Sequence, residues 1–364
     1  MKPSLVSPAR TSPVALAQTL LAAVPRGRGR FALATLLAML ASMSSVALMG
    51  TSAWLISFAA WAPPVLYLQV PAVLVRAFGI SRGVFRYLER LVGHDLVLRM
   101  QSVLRLRIYD KLAGTTLIGK RRGDLLTRVV ADVSAIQDLI VRVAIPALSA
   151  SLLVIATTSA FSLISPAAAF WLLVSALLGG VIAPLWAQRA SDRIDLASAP
   201  SRGLLADNIR QFVRTAPDLV AYGAVDQALE ATLAADAELC RQDSRAAWIR
   251  GVAGAGQVLA AGGAVVAALL VGAPAVAAGQ LDPRFLAVLV LTPLAMHEVF
   301  ATFAQAAQTF TRSRAALLRV GETLDAPAVG TGDVSDGEGD IKGLELRSVS
   351  VGWPGSSPVQ TGLS

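Results

Sequence analysis

The sequence predicts an all-α membrane protein of six transmembrane helices with long helical extensions outside the bilayer and a short β segment at its C-terminal end. Three observations predict it. The 364 residues are 55% hydrophobic and 15% charged, with a mean hydropathy of +0.61, far from the composition of a soluble globular domain. Six apolar stretches each approach the ~20 residues that a helix needs to cross ~30 Å of hydrocarbon. Finally, between Val65 and Asp132 the chain passes from an apolar segment into an arginine-studded, helix-patterned one with no turn signal at the join.

In chain order, residues 1–30 form an N-terminal segment of polar or mixed character. The apolar stretch behind it exceeds an ordinary signal-peptide core, so the first span reads as a retained anchor. The spans run Phe31–Ala60, Val65–Ser81, Val143–Ile164, Ala167–Gln188, Gly251–Gly272 and Phe285–Phe310. Two carry charge inside, Arg76 in the second and Glu298, beside His297, in the sixth. Two long connections of nearly equal length, Arg82–Arg142 and Arg189–Arg250, separate the second span from the third and the fourth from the fifth. Folded as antiparallel helical hairpins, each extends the membrane helices by ~40–45 Å at ~1.5 Å per residue.

Arg82, Arg86, Arg90 and His94 recur every fourth residue and so share one slowly drifting stripe of a helix. The first hairpin is expected to turn at Gly119–Gly123, with Asp124 capping a helix that continues through Leu125, Val129, Asp132 and Val133. The second turns near Pro217-Asp218 and Tyr222-Gly223. Residues 31–325 form the membrane domain, and the Gly- and Asp-rich residues 326–342 read as a linker. In 343–364, Leu344–Val349 alternates like a strand and Gly352-Trp353-Pro354-Gly355 reads as a turn. A piece of that length cannot bury a core of its own.

The net charge of +8 does not gather into an aromatic-interleaved face, which argues against nucleic acid as a partner. The basic residues lie before span one, in the two long connections and after span six, while the alternate loops hold Arg284 alone. By the positive-inside rule both termini are cytoplasmic. Cys240 is the sole cysteine, so neither an intrachain disulfide nor a cysteine metal cluster can form, and no metal site is expected.

The segment Gly79-Ile-Ser-Arg-Gly-Val-Phe-Arg-Tyr-Leu-Glu-Arg-Leu-Val-Gly-His94-Asp95 closely resembles the CydC-type subunit of the CydDC exporters, ABC transporters that support cytochrome bd assembly. The likeness continues through Arg121-Arg122-Gly123-Asp124-Leu125-Leu126-Thr127-Arg128-Val129-Val130-Ala131-Asp132-Val133, Leu139–Pro146, Ala221–Ala224 and the surroundings of Glu298 and Phe300, over about residues 30–364. It implies a type IV ABC exporter half, paired with a CydD-like half-transporter in the inner (plasma) membrane. The implied cargo is a low-molecular-weight thiol, glutathione or cysteine, or haem. ATP and Mg would act in the full-length complex. Rival readings are a lipid, peptide or siderophore exporter half on the same scaffold, and a non-transporting membrane scaffold or regulator.

The resemblance also assigns residues. Trp353 takes the place of the aromatic that stacks on adenine, although a Trp packing a turn explains it equally. His94 takes the place of a haem ligand, with Arg90, Arg86 and Arg82 placed to pair with propionates; a solvated histidine on a basic helix face is the plain alternative. Gly123, Asp124, Arg128 and Asp132 fall in the coupling region that docks on a nucleotide domain, where a simple capped turn would look the same locally. Arg76 reads either as a contact for an anionic substrate or as a structural partner of Glu298, which lies at similar depth. Adjacent His297 and Glu298 point ~100° apart and are not expected to act jointly, and only Glu298 matches the family. No G-x-x-x-x-G-K-[ST] loop, signature motif or Walker B acid occurs in the sequence. No catalytic residue is therefore expected here, and the chain reads as the membrane half of a longer protein or as a truncated product, unable to hydrolyse ATP alone.

Overall fold

A computed structural model describes residues 13–113, 131–325, 348–351 and 358–363. The expected turn at Gly119–Gly123, the coupling residues Gly123, Asp124 and Arg128, the linker, and Trp353 with its turn lie outside the described residues. Within them the protein is helical, and six helices are long and apolar enough to cross a membrane, in agreement with the six stretches read from sequence.

Short α1 (Pro13–Ala23) precedes α2 (Gly27–Ala59), the first span, and α3 (Val65–Ala113) carries the second. The 49 residues of α3 are a single helix, so the missing turn signal was informative. The third span runs through a π turn (Leu139–Ala144) into α4 (Ile145–Ile164). The fourth is α5 (Pro166–Leu177), a second π turn (Leu178–Ile182) and the start of α6 (Ala183–Arg214). A short α7 (Ala216–Ala221) and a tight turn, with Gly223 at φ 65°, lead into α8 (Val225–Ala277), which carries the fifth span. The sixth is α9 (Pro283–Glu298), a 3₁₀ turn (Val299–Thr302) and α10 (Phe303–Leu324). Strands β1 (Val349–Val351) and β2 (Gln360–Leu363) pair antiparallel, Val349 opposite Leu363 and Val351 opposite Gln360.

The short loops between spans start helices with the same chemistry. Ser165 accepts a hydrogen bond from the Ala168 amide at 3.4 Å, Asp282 accepts one from the Arg284 amide at 2.8 Å, and a proline follows each cap.

Contacts divide the chain into two compact units. The first takes Met1–Ala32, Val92–Val141 and Phe310–Ser364. Its helices meet through buried stripes at helical spacing: Leu96, Met100, Leu104 and Ile108 on α3, Val133, Ile136 and Ile140 at the start of the third-span helix, and Ser313, Leu317 and Val320 on α10. Ser313 donates to the Ala135 carbonyl at 2.6 Å, and Arg319 binds the Asp132 carboxylate through both Nε (3.0 Å) and a terminal nitrogen. Asp95 accepts from Arg99 at 2.9 Å and faces Arg30 at 3.6 Å.

The second unit, Leu33–Leu91 with Arg142–Thr309, holds most of the membrane-spanning length. Its core joins Leu153, Phe161, Leu172, Leu289, Met296 and Phe300 to alanines at 150, 168, 169, 176, 268 and 295, whose small side chains let helices approach closely where lipid supplies no hydrophobic drive. Beyond the apolar segments α6 and α8 run antiparallel, as the hairpin reading expects, joined by Arg202 to Asp243 at 3.0 Å and Gln242 to Ser201 at 3.2 Å.

Arg284 has a setting that no local pattern foretold. Its guanidinium lies 5.0–5.4 Å from the ring centres of Trp54, Phe58 and Trp61 and is held by both oxygens of Asp282. It therefore ties the end of α2 to the start of α9 through three cation–π contacts. The Arg284 hydrogen bond holds the Asp282 carboxyl below the usual carboxylate range. Because that folded-state value is lowered, the stabilisation is present above the unfolded aspartate range of about 4 and disappears as pH falls through the lowered value. Thermal unfolding of the purified protein should thus show a lower Tm for Arg284→Ala, an intermediate Tm for Arg284→Lys, and a wild-type advantage over Asp282→Asn that shrinks only in strongly acidic buffer.

Candidate functional site

Spans four, five and six meet at a polar seam inside the second unit, and it is built where two helices depart from α geometry. A π turn leaves carbonyls without the usual i+4 donor, and a 3₁₀ turn shifts its bonds to i+3. Gln257, in mid-span on α8, donates its side-chain amide to both irregular turns, reaching the Gly179 carbonyl at 3.2 Å and the Phe300 carbonyl at 2.5 Å. One side chain thereby satisfies a π turn on span four and a 3₁₀ turn on span six.

Glycine permits this approach. A Cβ on Gly180 would stand 2.9 Å from the Phe300 ring, and one on Gly179 would stand 3.2 Å from Nδ1 of His297. His297 is buried, edge-on to Phe300 with centroids 5.4 Å apart, and Phe300 meets Phe303 in the same way. Ser175 gives its one proton to the Leu172 carbonyl at 2.8 Å, so at 3.1 Å the Nε2–H of His297 donates to the serine oxygen. That tautomer leaves Nδ1 as an acceptor, and it is buried with no hydrogen-bond partner among the described residues. Among those residues no group of three His, Cys, Asp or Glu side chains could hold a metal. The seam is a positioning device: it fixes three spans at one level.

The residues singled out by sequence sit elsewhere. Arg76 and Glu298 are both exposed, and no ion pair joins them among the described residues. His297 and Glu298 diverge as helix geometry requires, one into the seam and one outward. His94, Arg90 and Arg86 are exposed along α3. Asp132 is buried, 8% exposed, against Arg319. From Val65 to Leu91 only Pro71 is buried and most of the other residues are exposed. Sequence reasoning missed Ser175 and Gln257, and the aromatic setting of Arg284; a lone Gln in a charge-free span and the Gly179-Gly180 pair are the signals that could have drawn attention to the first two.

No family model matches the chain. Over 345 residues, 93% of this chain, it is 27% identical to the glutathione/L-cysteine transport system ATP-binding/permease protein CydC of Escherichia coli (strain K12). It is 42% identical over 127 residues, 34% of the chain, to the protein of the same system named CydD from Bacillus subtilis (strain 168). The CydC protein of Haemophilus influenzae is 27% identical over 195 residues, 52% of the chain. The curated homologues are CydC and CydD transport proteins. The chain spans 60% of the length of the E. coli protein and 22% and 34% of the other two. With six apolar helices and permease relatives, it is a multi-pass membrane protein.

The seam makes two expectations. Gln257→Leu leaves two carbonyls without their donor and should cost about 1–2 kcal/mol, read as a lowered unfolding temperature in detergent; Gln257→Glu, which sets a carboxylate against those carbonyls, should cost more at neutral pH. Gly180→Val should destabilise by ~1–3 kcal/mol through its clash with Phe300, and Phe300→Leu in the same chain should restore part of the loss.

Proposed function

We propose that this chain is the transmembrane half of an ATP-driven exporter resembling CydC, working as a heterodimer with a CydD-like half-transporter in the inner membrane with both termini cytoplasmic. The observation that carries this reading is the likeness to E. coli CydC along 93% of the chain. Two structural features support it. Helices α3 and α8, of 49 and 53 residues, are each ~75 Å long, more than twice the hydrocarbon thickness, and each joins an apolar span to a polar extension without a break. Such helices carry a displacement made at one end to the other, as a rigid-body coupling between ATP-driven closure and an alternating-access pathway requires. Arg76, exposed deep within the apolar length of α3, also suits a partner's helices or a wet pathway against this helix.

The cargo we assign is a low-molecular-weight thiol such as glutathione or cysteine, with haem handled in cytochrome bd assembly. Arg76 lies ~17 Å into its span and has no ion-pair partner among the described residues, so a carboxylate-bearing cargo suits it. Glu298 would line the same pathway. For haem, His94 supplies an imidazole, and Arg90 and Arg86, one and two turns earlier, supply guanidinium forks for propionates; all three are exposed on one stripe of α3, so the donor set fits. Bound there, haem would supply redox-active iron, and His94 would be the residue to hold it. ATP and Mg belong to the full-length complex, where Trp353 would stack on adenine and Gly123, Asp124, Arg128 and Asp132 would form the coupling contact.

Inverted vesicles holding the full-length pair should take up labelled glutathione or cysteine when given ATP and Mg. Arg76→Ala should cut that uptake about tenfold, the worth of one charge-assisted contact; uptake of neither thiol, or uptake indifferent to Arg76, would overturn the cargo assignment. Haem titration should raise a Soret band that His94→Ala weakens, and Asp124→Lys should lower transport-coupled ATPase activity.

A further inference from the structure

A groove of about 1160 Å³ runs between spans four and five on the outside of the polar seam, and its lining is almost wholly apolar. On span four its wall includes Trp171, Leu178, Ile182 and Trp186; on α8 it includes Ala253, Gly256, Leu259, Gly263, Ala267 and Leu270. Gly262 and Gly263 have nothing within 4 Å of where a Cβ would stand, so the middle of the groove is open space.

One end of the groove carries charge. Ala183 and Gly256 face each other across the antiparallel pair, with the Ala183 Cβ 4.0 Å from where a Cβ on Gly256 would lie. Arg189 comes six residues after Ala183, and Arg250 six residues before Gly256, so the two arginines stand at one level, ~9 Å beyond that contact. Arg189 follows Trp186 by three positions and Arg250 precedes Ala253 by three, which puts each on the stripe that lines the groove. Both are exposed, and neither has an ion-pair partner among the described residues. No Asp or Glu occurs from Ser244 to Leu281, and Asp192, three positions after Arg189, is the acid that follows Ala183 first. Exposed Trp186 and Trp248 flank the same level, where an indole sits at the boundary between headgroups and hydrocarbon.

We propose that this groove is a binding site for an anionic phospholipid, its acyl chain lying along Leu178–Trp186 and Ala253–Leu270 and its phosphate between Arg189 and Arg250. The chemistry is complementary at both ends: an apolar trough for hydrocarbon, and two guanidinium forks for a phosphate. The site goes beyond the transport reading, since it uses neither Arg76 nor His94.

The test uses this chain in membranes containing photoactivatable phosphatidylglycerol or phosphatidylcholine with the same acyl probe, and adducts are mapped by mass spectrometry. Phosphatidylglycerol should label peptides from Ser175–Trp186 and Val252–Val271 about thirtyfold more strongly than phosphatidylcholine, the preference expected of two cations at an anionic headgroup. The double variant Arg189→Gln/Arg250→Gln should bring the two lipids to the same level without changing the phosphatidylcholine signal. Gly263→Leu, which fills open space and suits a helix, should reduce labelling by both lipids. Equal labelling by both headgroups in the unmodified chain would overturn the proposal. So would a photo-crosslinker at Leu259 that captured a partner polypeptide in place of lipid, which would make the groove a subunit interface.

Discussion

A backbone carbonyl that loses its helical donor inside a bilayer has no water to turn to, and that constraint organises the second unit. Two spans break α geometry at facing positions, and the Gln257 amide answers both, bonding to Gly179 in the π turn and Phe300 in the 3₁₀ turn. Everything around the bond is arranged so that the two turns can reach it. Gly179 and Gly180 keep Cβ atoms out of the way of His297 and Phe300, and Ser175 fixes the His297 ring from the other side. A helix irregularity costs least where a neighbour can satisfy it, so these two turns are also the points at which spans four and six can bend. The polar cluster therefore joins and localises flexure at once.

How much of this was legible in the sequence depends on whether the cause was local. The six spans, the uninterrupted α3, and the helix starts at Ser165-Pro166 and Asp282-Pro283 follow from hydropathy, from the lack of a turn signal, and from cap residues beside proline, all of which act within a few positions. The seam follows from contacts between residues as far apart as Ser175 and His297, which no window along the chain can join. His297 shows the difference clearly. Beside Glu298 it reads as half of a polar dipeptide, and only the packing reveals a ring buried between Gly179, Phe300 and Ser175. Arg284 was visible as the one basic residue of its set of loops, while the three aromatic rings around it became neighbours only when α2 and α9 packed.

Arg284 and Arg76 make an instructive pair, because the same side chain meets opposite circumstances. At Arg284 the chain supplies a carboxylate and three aromatic faces, so the charge is matched within the fold. At Arg76 it supplies neither an ion pair among the described residues nor a buried setting, although the position lies deep in an apolar span. A guanidinium facing lipid there costs at least ~2.5 kcal/mol, and water, an acid or a bound anion removes that cost. The apolar residues of α3 raise no such difficulty, since Val65, Leu66, Val70 and Val73 are at home in hydrocarbon. It is Arg76, and not the exposed leucines and valines, that argues for a protein partner or a wet pathway against this helix.

The same distinction separates the two outward-facing surfaces of the second unit. Along α3 a charge sits in the middle of the apolar length, where a lipid tail cannot match it, so that surface calls for a subunit or a solvated cavity. In the groove between spans four and five the lining is uncharged and, apart from Ser175, apolar, and the charges of Arg189 and Arg250 stand beyond its end, a distribution complementary to that of a phospholipid. Depth of charge, more than total hydrophobicity, is thus what distinguishes the two faces.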